Sequence, residues 1–84
     1  MRRNDLDICA DLLKVTMNGA KKTQMVYKAN LNFNIIKKYI KRLSYNGLIK
    51  TENGHFFTTD KGSRFLAKYH ELVEPLSALQ ENKL

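Results

Sequence analysis

The sequence has very little of the chemistry that builds catalytic or metal sites. It has one cysteine, Cys9, so no intrachain disulfide can form, and a reducing, intracellular setting is expected. His55 and His70 stand alone, without a Cys/His cluster at metal-binding spacing or a Gly-rich phosphate loop. Cys9 falls in a helical apolar pattern that is typical of a core residue. We therefore expect a non-enzymatic protein with no metal and no cofactor.

Long apolar runs are also missing. No run approaches the roughly 18 residues that cross a bilayer, and the two N-terminal arginines are not followed by the apolar segment of a secretory signal. The 84 residues, 43% hydrophobic and 27% charged, are typical of one soluble globular domain. A domain this small buries only about 60% of its unfolded-chain surface, so association with a second copy would stabilise it.

Acidic residues are missing from the middle of the chain. Between Leu12 and Thr51 there is no Asp or Glu, although the net charge of the whole chain is +7. The same stretch carries the cations Lys14, Lys21, Lys22, Lys28, Lys37, Lys38, Lys41, Arg42 and Lys50. Solvated faces usually mix both signs, so this block predicts a surface for a polyanion, most commonly nucleic acid. The alternative is a positive face that serves only solubility.

Apolar spacing predicts three helices in the first half of the chain. The first covers about residues 5–18 and stops at an Asn-Gly pair, and the second covers residues 23–29 with Thr23 as its cap. Asn30 tolerates the left-handed conformation that ends a helix, and Asn32 is a good cap for a third helix over about residues 33–45.

A hairpin and a long helix are predicted to follow. Two strand-like runs, residues 48–52 and 55–59, flank Asn53-Gly54, the strongest local hairpin pattern. The last helix begins near Thr59 or Asp60, and Pro75 is expected to kink or break it. The predicted fold is mainly α with a small β-hairpin: a winged helix-turn-helix with a long C-terminal dimerisation helix.

The third helix divides its faces between packing and binding. Ile36, Ile40 and Leu43 are expected to dock it on the domain. The opposite side carries Asn34, Lys37, Lys38, Lys41, Arg42 and Tyr45. A recognition helix in a DNA major groove needs this division. The lysines suit phosphates, Arg42 is also placed for phosphate, and sequence choice would begin upstream, at Asn32 and Asn34.

Further contacts are predicted around this helix. Lys21, Lys22 and Lys28 border the second helix, which would cross the DNA backbone. Lys50, Asn53 and His55 lie on or near the wing. Asn53 has an equally good explanation in the turn itself, and His55 in an ordinary surface position.

Three stretches resemble a family of small archaeal winged-helix proteins, which includes predicted transcriptional regulators and a chromatin-associated DNA-binding protein. They are "NGAKKTQMVYKANLNF" (18–33), "YIKRLSYNGLIK" (39–50) and "FFTTDKGSRFLAKY" (56–69), of which "YKANLNF" is the most specific. The resemblance implies a homodimer in which the last helix pairs with its copy as an antiparallel coiled coil. Gln24 replaces a frequent arginine of that family, and Asn32-Phe33 replaces a frequent Ser-Tyr pair.

The spacing of apolar residues in the last helix agrees with such pairing. The residues recur on average every 3.5 positions, as in a coiled-coil seam. They are Phe65, Tyr69, Leu72, Leu76 and Leu79, and Leu66 and Val73 widen the stripe. We thus expect a DNA-binding part in residues 1–62 and a dimerisation helix in residues 63–84.

The leading hypothesis is a homodimeric protein of the cytoplasm and nucleoid that binds double-stranded DNA, as a transcriptional regulator or a chromatin component. One alternative is a protein-interaction module on a winged-helix scaffold. Another is RNA or single-strand binding, which requires exposed aromatics on the basic face. Tyr27 and Tyr45 are the candidates for that role.

Overall fold

The computed structural model describes residues 4–82, with side chains for residues 4–73. Four helices and one two-stranded antiparallel hairpin follow in the predicted order. They are α1 (Asp5–Val15), α2 (Lys22–Ala29), α3 (Phe33–Tyr45), β1 (Ile49–Glu52), β2 (His55–Thr58) and α4 (Asp60–Asn82). The mainly helical architecture with a hairpin wing is therefore confirmed.

Helix α1 ends at Val15, three residues before the predicted end. Thr16 follows as its C-cap and is fully buried. Its hydroxyl oxygen lies 3.0 Å from the carbonyl oxygen of Leu12 and 2.8 Å from the hydroxyl oxygen of Thr58 on β2. The chain then passes Gly19, whose φ of +95° suits glycine. This long-range contact with the hairpin, which local sequence does not show, sets the end of the helix.

The connection from α2 to α3 follows the predicted local chemistry, but the start of α2 does not. Its N-cap is Lys21, not Thr23, because the side chain of Gln24 accepts the backbone N–H of Lys21 at 2.8 Å. Asn30 adopts the left-handed conformation at φ 57° and ψ 50°. The side chain of Asn32 accepts the N–H of Ile35 at 2.8 Å and so caps α3.

The hairpin turns at Asn53 and Gly54, both at positive φ, as a type I′ turn requires. Its register runs from the Ile49–Thr58 pair to the Glu52–His55 pair, so each strand is one residue shorter than predicted. A third segment pairs with the hairpin at one point, because the backbones of Ala20 and Phe56 exchange hydrogen bonds of 3.0 and 2.8 Å. The segment before α2 thus stiffens the base of the wing.

Helix α4 begins at Asp60 after a well-defined cap. The hydroxyl of Thr59 accepts the N–H of Gly62 at 3.0 Å and donates to the carbonyl of Gly47 at 2.6 Å. The helix continues through Pro75 to Asn82, so it does not break there, and a kink at Pro75 stays a prediction. Pro75 removes one backbone hydrogen bond. The boundary that we predicted after residue 62 falls inside this helix.

The core lies where α1, α2, α3 and the first turns of α4 meet the base of the hairpin. Its buried members are Ala10, Leu12, Leu13, Ala20, Met25, Ala29, Ile36, Tyr39, Leu43, Leu48, Ile49 and Leu66. Cys9 is half-buried against this cluster, and burial raises the pKa of its thiol. The thiol therefore stays protonated at neutral pH and packs as a small apolar group.

Candidate nucleic-acid interface

Helix α3 docks on the domain through one apolar face. Ile36 and Leu43 are buried, and Ile40 packs partly against the core. Tyr39, which the sequence places at the edge of this face, is only 3% exposed and belongs to the core. Because four side chains at helical spacing hold α3 down, its other face keeps one fixed orientation.

The outward face of α3 carries a straight stripe of four exposed side chains. Asn34, Lys38, Lys41 and Tyr45 follow one another at steps of four, three and four, so they fall within a sector of about 60°. Tyr45 exposes 90% of its surface. Tyr45 was not predicted to contact double-stranded DNA, although its spacing from Lys38 and Lys41 in the sequence aligns it with them.

The other two predicted cations of α3 flank the stripe on opposite sides. Lys37 is exposed and its position on the helix lies toward that of Ser44. Nη1 of Arg42 lies 3.2 Å from Oδ2 of Asp5, and its guanidinium stacks over the ring of Tyr39 at 5.4 Å. The guanidinium of Arg42 is thus partly engaged within the protein, and a phosphate contact by Arg42 stays a prediction.

The three lysines predicted to contact DNA around α2 differ in how far they are exposed to solvent. Lys21 and Lys28 are exposed, and Lys22 is half-buried. Tyr27 exposes 86% of its surface and lies on the outermost side of this helix, together with Thr23 and Gln24. A phenol, a hydroxyl and an amide are all suited to hydrogen bonding with phosphate oxygens.

The predicted wing residues have local structural roles. Nζ of Lys50 lies 4.0 Å from Oε2 of Glu52, in an exposed pair. Asn53 forms the turn at φ 51°. Nδ1 of His55 lies 3.2 Å from the carbonyl oxygen of Asn53, and its ring is 6.5 Å from that of Phe57. The turn explains Asn53 by itself, and a DNA contact by Asn53 or His55 stays a prediction.

Cationic side chains dominate this surface. Cations from α2, α3 and β1 project from a stretch of chain that contains no carboxylate between Leu12 and Thr51. Among the described side chains, those of residues 4–73, no group of three or more His, Cys, Asp or Glu could hold a metal ion. In the same part of the chain, no helix is both long and apolar enough to cross a membrane.

Comparisons with known proteins agree with this geometry. A protein of Methanocaldococcus jannaschii, the uncharacterised MJ0287, is 30% identical over 78 residues, which are 92% of this chain and 80% of the relative. A second uncharacterised protein of that archaeon, MJ0290, is 33% identical over 73 residues, or 86% of this chain. This chain spans only 35% of the length of that second relative.

A solved structure has the same fold. The crystal structure of Sso10a-2, a DNA-binding protein from Sulfolobus solfataricus, superposes with a TM-score of 0.80 at 27% sequence identity. The match covers 96% of this chain and 90% of that one. A family model described as winged helix-turn-helix matches residues 2–77, from α1 to well into α4. The chain therefore belongs to the winged helix-turn-helix family.

Proposed function

We propose that this protein binds double-stranded DNA, with α3 in the major groove, and catalyses no reaction. The observation that carries the proposal is the outward stripe of α3, where Asn34, Lys38 and Lys41 stand exposed on a helix held by a buried face. The fold shared with a DNA-binding protein supports it. The role is that of a transcriptional regulator or a chromatin-associated protein, in the cytoplasm and on the nucleoid.

The residue types divide the work of binding. Lysines on flexible stems neutralise phosphates, so Lys37, Lys38 and Lys41 supply affinity without choosing a sequence. Asn34 lies on the first turn of α3, where an amide can contact both edge atoms of an adenine. The exposed Lys21 and Lys28 border α2 and suit the phosphate backbone beside the groove.

The proposed active form is a homodimer that pairs through α4, with residues 1–62 binding DNA and residues 63–84 joining the copies. Leu72 exposes 67% of its surface and Leu6 43%. These two side chains line an apolar cleft of about 180 Å³ between α1 and α4, with Phe65, Lys68 and Tyr69. Apolar area of this kind is stabilised when a second surface covers it. Leu76 and Leu79 lie outside the described side chains.

The charges along α4 favour antiparallel pairing. The first half of the helix carries Lys61, Arg64 and Lys68, and the second half carries Glu71, Glu74 and Glu81. In an antiparallel pair, each basic half lies beside the acidic half of the other copy.

Leu72→Glu places a charge in the exposed apolar surface of α4 and should yield a monomer in sedimentation equilibrium. Ala67→Glu, on the opposite side of α4, is the matched control and should stay dimeric. A wild-type protein that is monomeric up to high micromolar concentration would overturn the pairing.

Single-stranded DNA or RNA is the second candidate, because Tyr27 and Tyr45 expose 86% and 90% of their surfaces. Exposed aromatic rings beside cations are used to stack unpaired bases. A competition measured by fluorescence anisotropy separates the two candidates. Unlabelled duplex should displace a labelled duplex at lower concentration than single-stranded DNA or RNA of equal length. Preferential displacement by a single strand would instead support the second candidate.

A further inference from the structure

The first turn of α1 is bonded to both of the helices that the proposed function uses. Oδ1 of Asp5 accepts the hydroxyl of Tyr39 on α3 at 2.5 Å, and Oδ2 of Asp5 lies 3.2 Å from Nη1 of Arg42. Two residues further on, Oδ1 of Asp7 accepts the hydroxyl of Tyr69 on α4. One helical turn therefore links the candidate recognition helix to the C-terminal helix.

The turn itself is locked by a reciprocal cap. The side chain of Asn4 accepts the N–H of Asp7 at 2.8 Å, and the N–H of Asn4 donates to Oδ2 of Asp7 at 3.3 Å. Asp7 thus uses one carboxylate oxygen inside the turn and the other on α4. Because the cap holds the carboxylate of Asp7 fixed on α1, the hydrogen bond from the Tyr69 hydroxyl ties the position of α4 to that of α1.

The two tyrosine rings are anchored as firmly as the turn. Tyr39 is 3% exposed and Tyr69 is partly buried against the core cluster, so packing restricts both rings. Hydrogen bonds from hydroxyls to carboxylates are among the stronger ones in proteins. The exposed ion pair between Arg42 and Asp5 contributes less, since water screens it. The tyrosine bonds are therefore the geometric link.

We propose that Asp5 and Asp7 are positioning residues for DNA binding, which hold α3 and α4 in one relative orientation through the first turn of α1. The inference rests on the proposed function, because orientation matters when α3 enters a groove while α4 joins two copies. A protein that holds its binding elements in place before association loses less conformational entropy when it binds. Packed and hydrogen-bonded contacts of this kind are the physical route by which one helix can influence another.

Two substitutions test the link without changing the net charge or the core rings. Tyr39→Phe removes the hydroxyl that reaches Asp5, and Tyr69→Phe removes the one that reaches Asp7. Backbone amide resonances measured without DNA report on the helices directly. We expect Tyr69→Phe, although it lies on α4, to shift amide resonances of α3. Shifts confined to α4 and the first turn of α1 would overturn the coupling.

DNA titrations provide the functional test. Each variant should weaken duplex binding by about three- to tenfold, because binding would then have to restore the helix orientation that one hydrogen bond holds in the wild-type protein. The slope of log affinity against log salt should stay at the wild-type value, because no phosphate contact is lost. Leu12→Val is the control: it truncates a buried side chain of α1 away from both links, and it should lower the thermal midpoint without weakening DNA binding at 25 °C.

The outcomes separate this inference from the proposed function. Failure of the wild-type protein to bind duplex at low salt would remove the function itself. Wild-type binding together with full affinity in both tyrosine variants would overturn only the positioning role. Equal weakening by Leu12→Val, or weakening by Tyr39→Phe alone, would also overturn it, since the first reflects general stability and the second leaves α4 unlinked.

Discussion

Thr16 at the end of α1 and Thr58 on β2 are joined through their hydroxyl oxygens, which lie 2.8 Å apart. The hydroxyl of Thr58 donates to the carbonyl of Leu13 at 2.7 Å and can accept from the hydroxyl of Thr16, and the N–H of Thr58 donates to the carbonyl of Thr16 at 3.0 Å. The wing is therefore fastened to the C-terminus of α1 by side chain and backbone together, at a site where Thr16 is fully buried.

Replacement of Thr16 tests this attachment. Thr16→Val keeps the shape of the side chain but leaves the hydroxyl of Thr58 without that partner, so the free energy of unfolding should fall by about 1–2 kcal/mol. Thr51→Val, at an exposed position of β1, should change it by less than about 0.5 kcal/mol. Urea denaturation measures both variants. Equal stability of the two would show that the Thr16–Thr58 contact contributes nothing.

Gly62 lies where α4 passes close to Leu48, the residue before β1. A Cβ at this position would lie 2.2 Å from the carbonyl oxygen of Leu48, which is backbone and cannot move aside cheaply. Gly62→Ala should lower the free energy of unfolding by about 1–3 kcal/mol, because the helix must shift. Gly54→Ala is the comparison, since it meets no atom within 4 Å and suffers only from its φ of +77°. Its cost should be about 1 kcal/mol.

Thermal and urea unfolding of the two glycine variants distinguish the two causes. A smaller loss at Gly62 than at Gly54 would contradict the close approach of α4 to Leu48. The cost of a positive φ at Gly54 would then exceed the cost of the steric clash at Gly62.

Alkaline pH should weaken the links between α1 and its two partner helices. The hydrogen bond to Asp5, aided by burial, raises the pKa of Tyr39 to about 12, and the bond to Asp7 does the same for Tyr69. An unfolded tyrosine titrates near pH 10. The stabilisation is therefore complete below about pH 10 and is lost as the pH rises toward about 12.

The free energy of unfolding, measured between pH 9 and 12, checks this alkaline dependence. The wild-type protein should lose stability more steeply than the double variant Tyr39→Phe/Tyr69→Phe, which lacks both titrating groups. Parallel curves for the two proteins would contradict the hydrogen bonds of Tyr39 and Tyr69.

At acid pH, the bonds from Tyr39 and Arg42 hold the pKa of Asp5 below its ordinary value. The stabilisation that Asp5 provides is therefore complete at pH values above its ordinary pKa, and it is lost as the pH falls through the lowered pKa.

Features that depend on neighbouring residues were predictable from the sequence. Asn30 ends α2 in the left-handed conformation, Asn32 caps α3, and the Asn53-Gly54 pair turns the hairpin, because each depends on the local chemistry of an amide or a glycine. The outward face of α3 was predictable for the same reason, since helical periodicity alone separates Lys38 and Lys41 from the buried Ile36.

Features that depend on distant residues were not predictable. The end of α1 is set by Thr58, which lies 42 residues from Thr16. The engagement of Arg42 depends on Asp5, 37 residues earlier. No local pattern contains such pairs, so the ion pair between Arg42 and Asp5 could not be predicted from the sequence.

The most direct measurement of the central claim is the salt dependence of duplex binding by Lys38→Ala/Lys41→Ala beside the wild-type protein. Each phosphate contact contributes about 0.9 to the slope of log affinity against log salt. The double variant should therefore bind more weakly, and its negative slope should be shallower by about 1.8. Lys14→Ala, an exposed lysine of α1 outside the proposed interface, should keep the wild-type slope. An unchanged slope in the double variant would contradict the account, because the outward stripe of α3 would then not touch DNA.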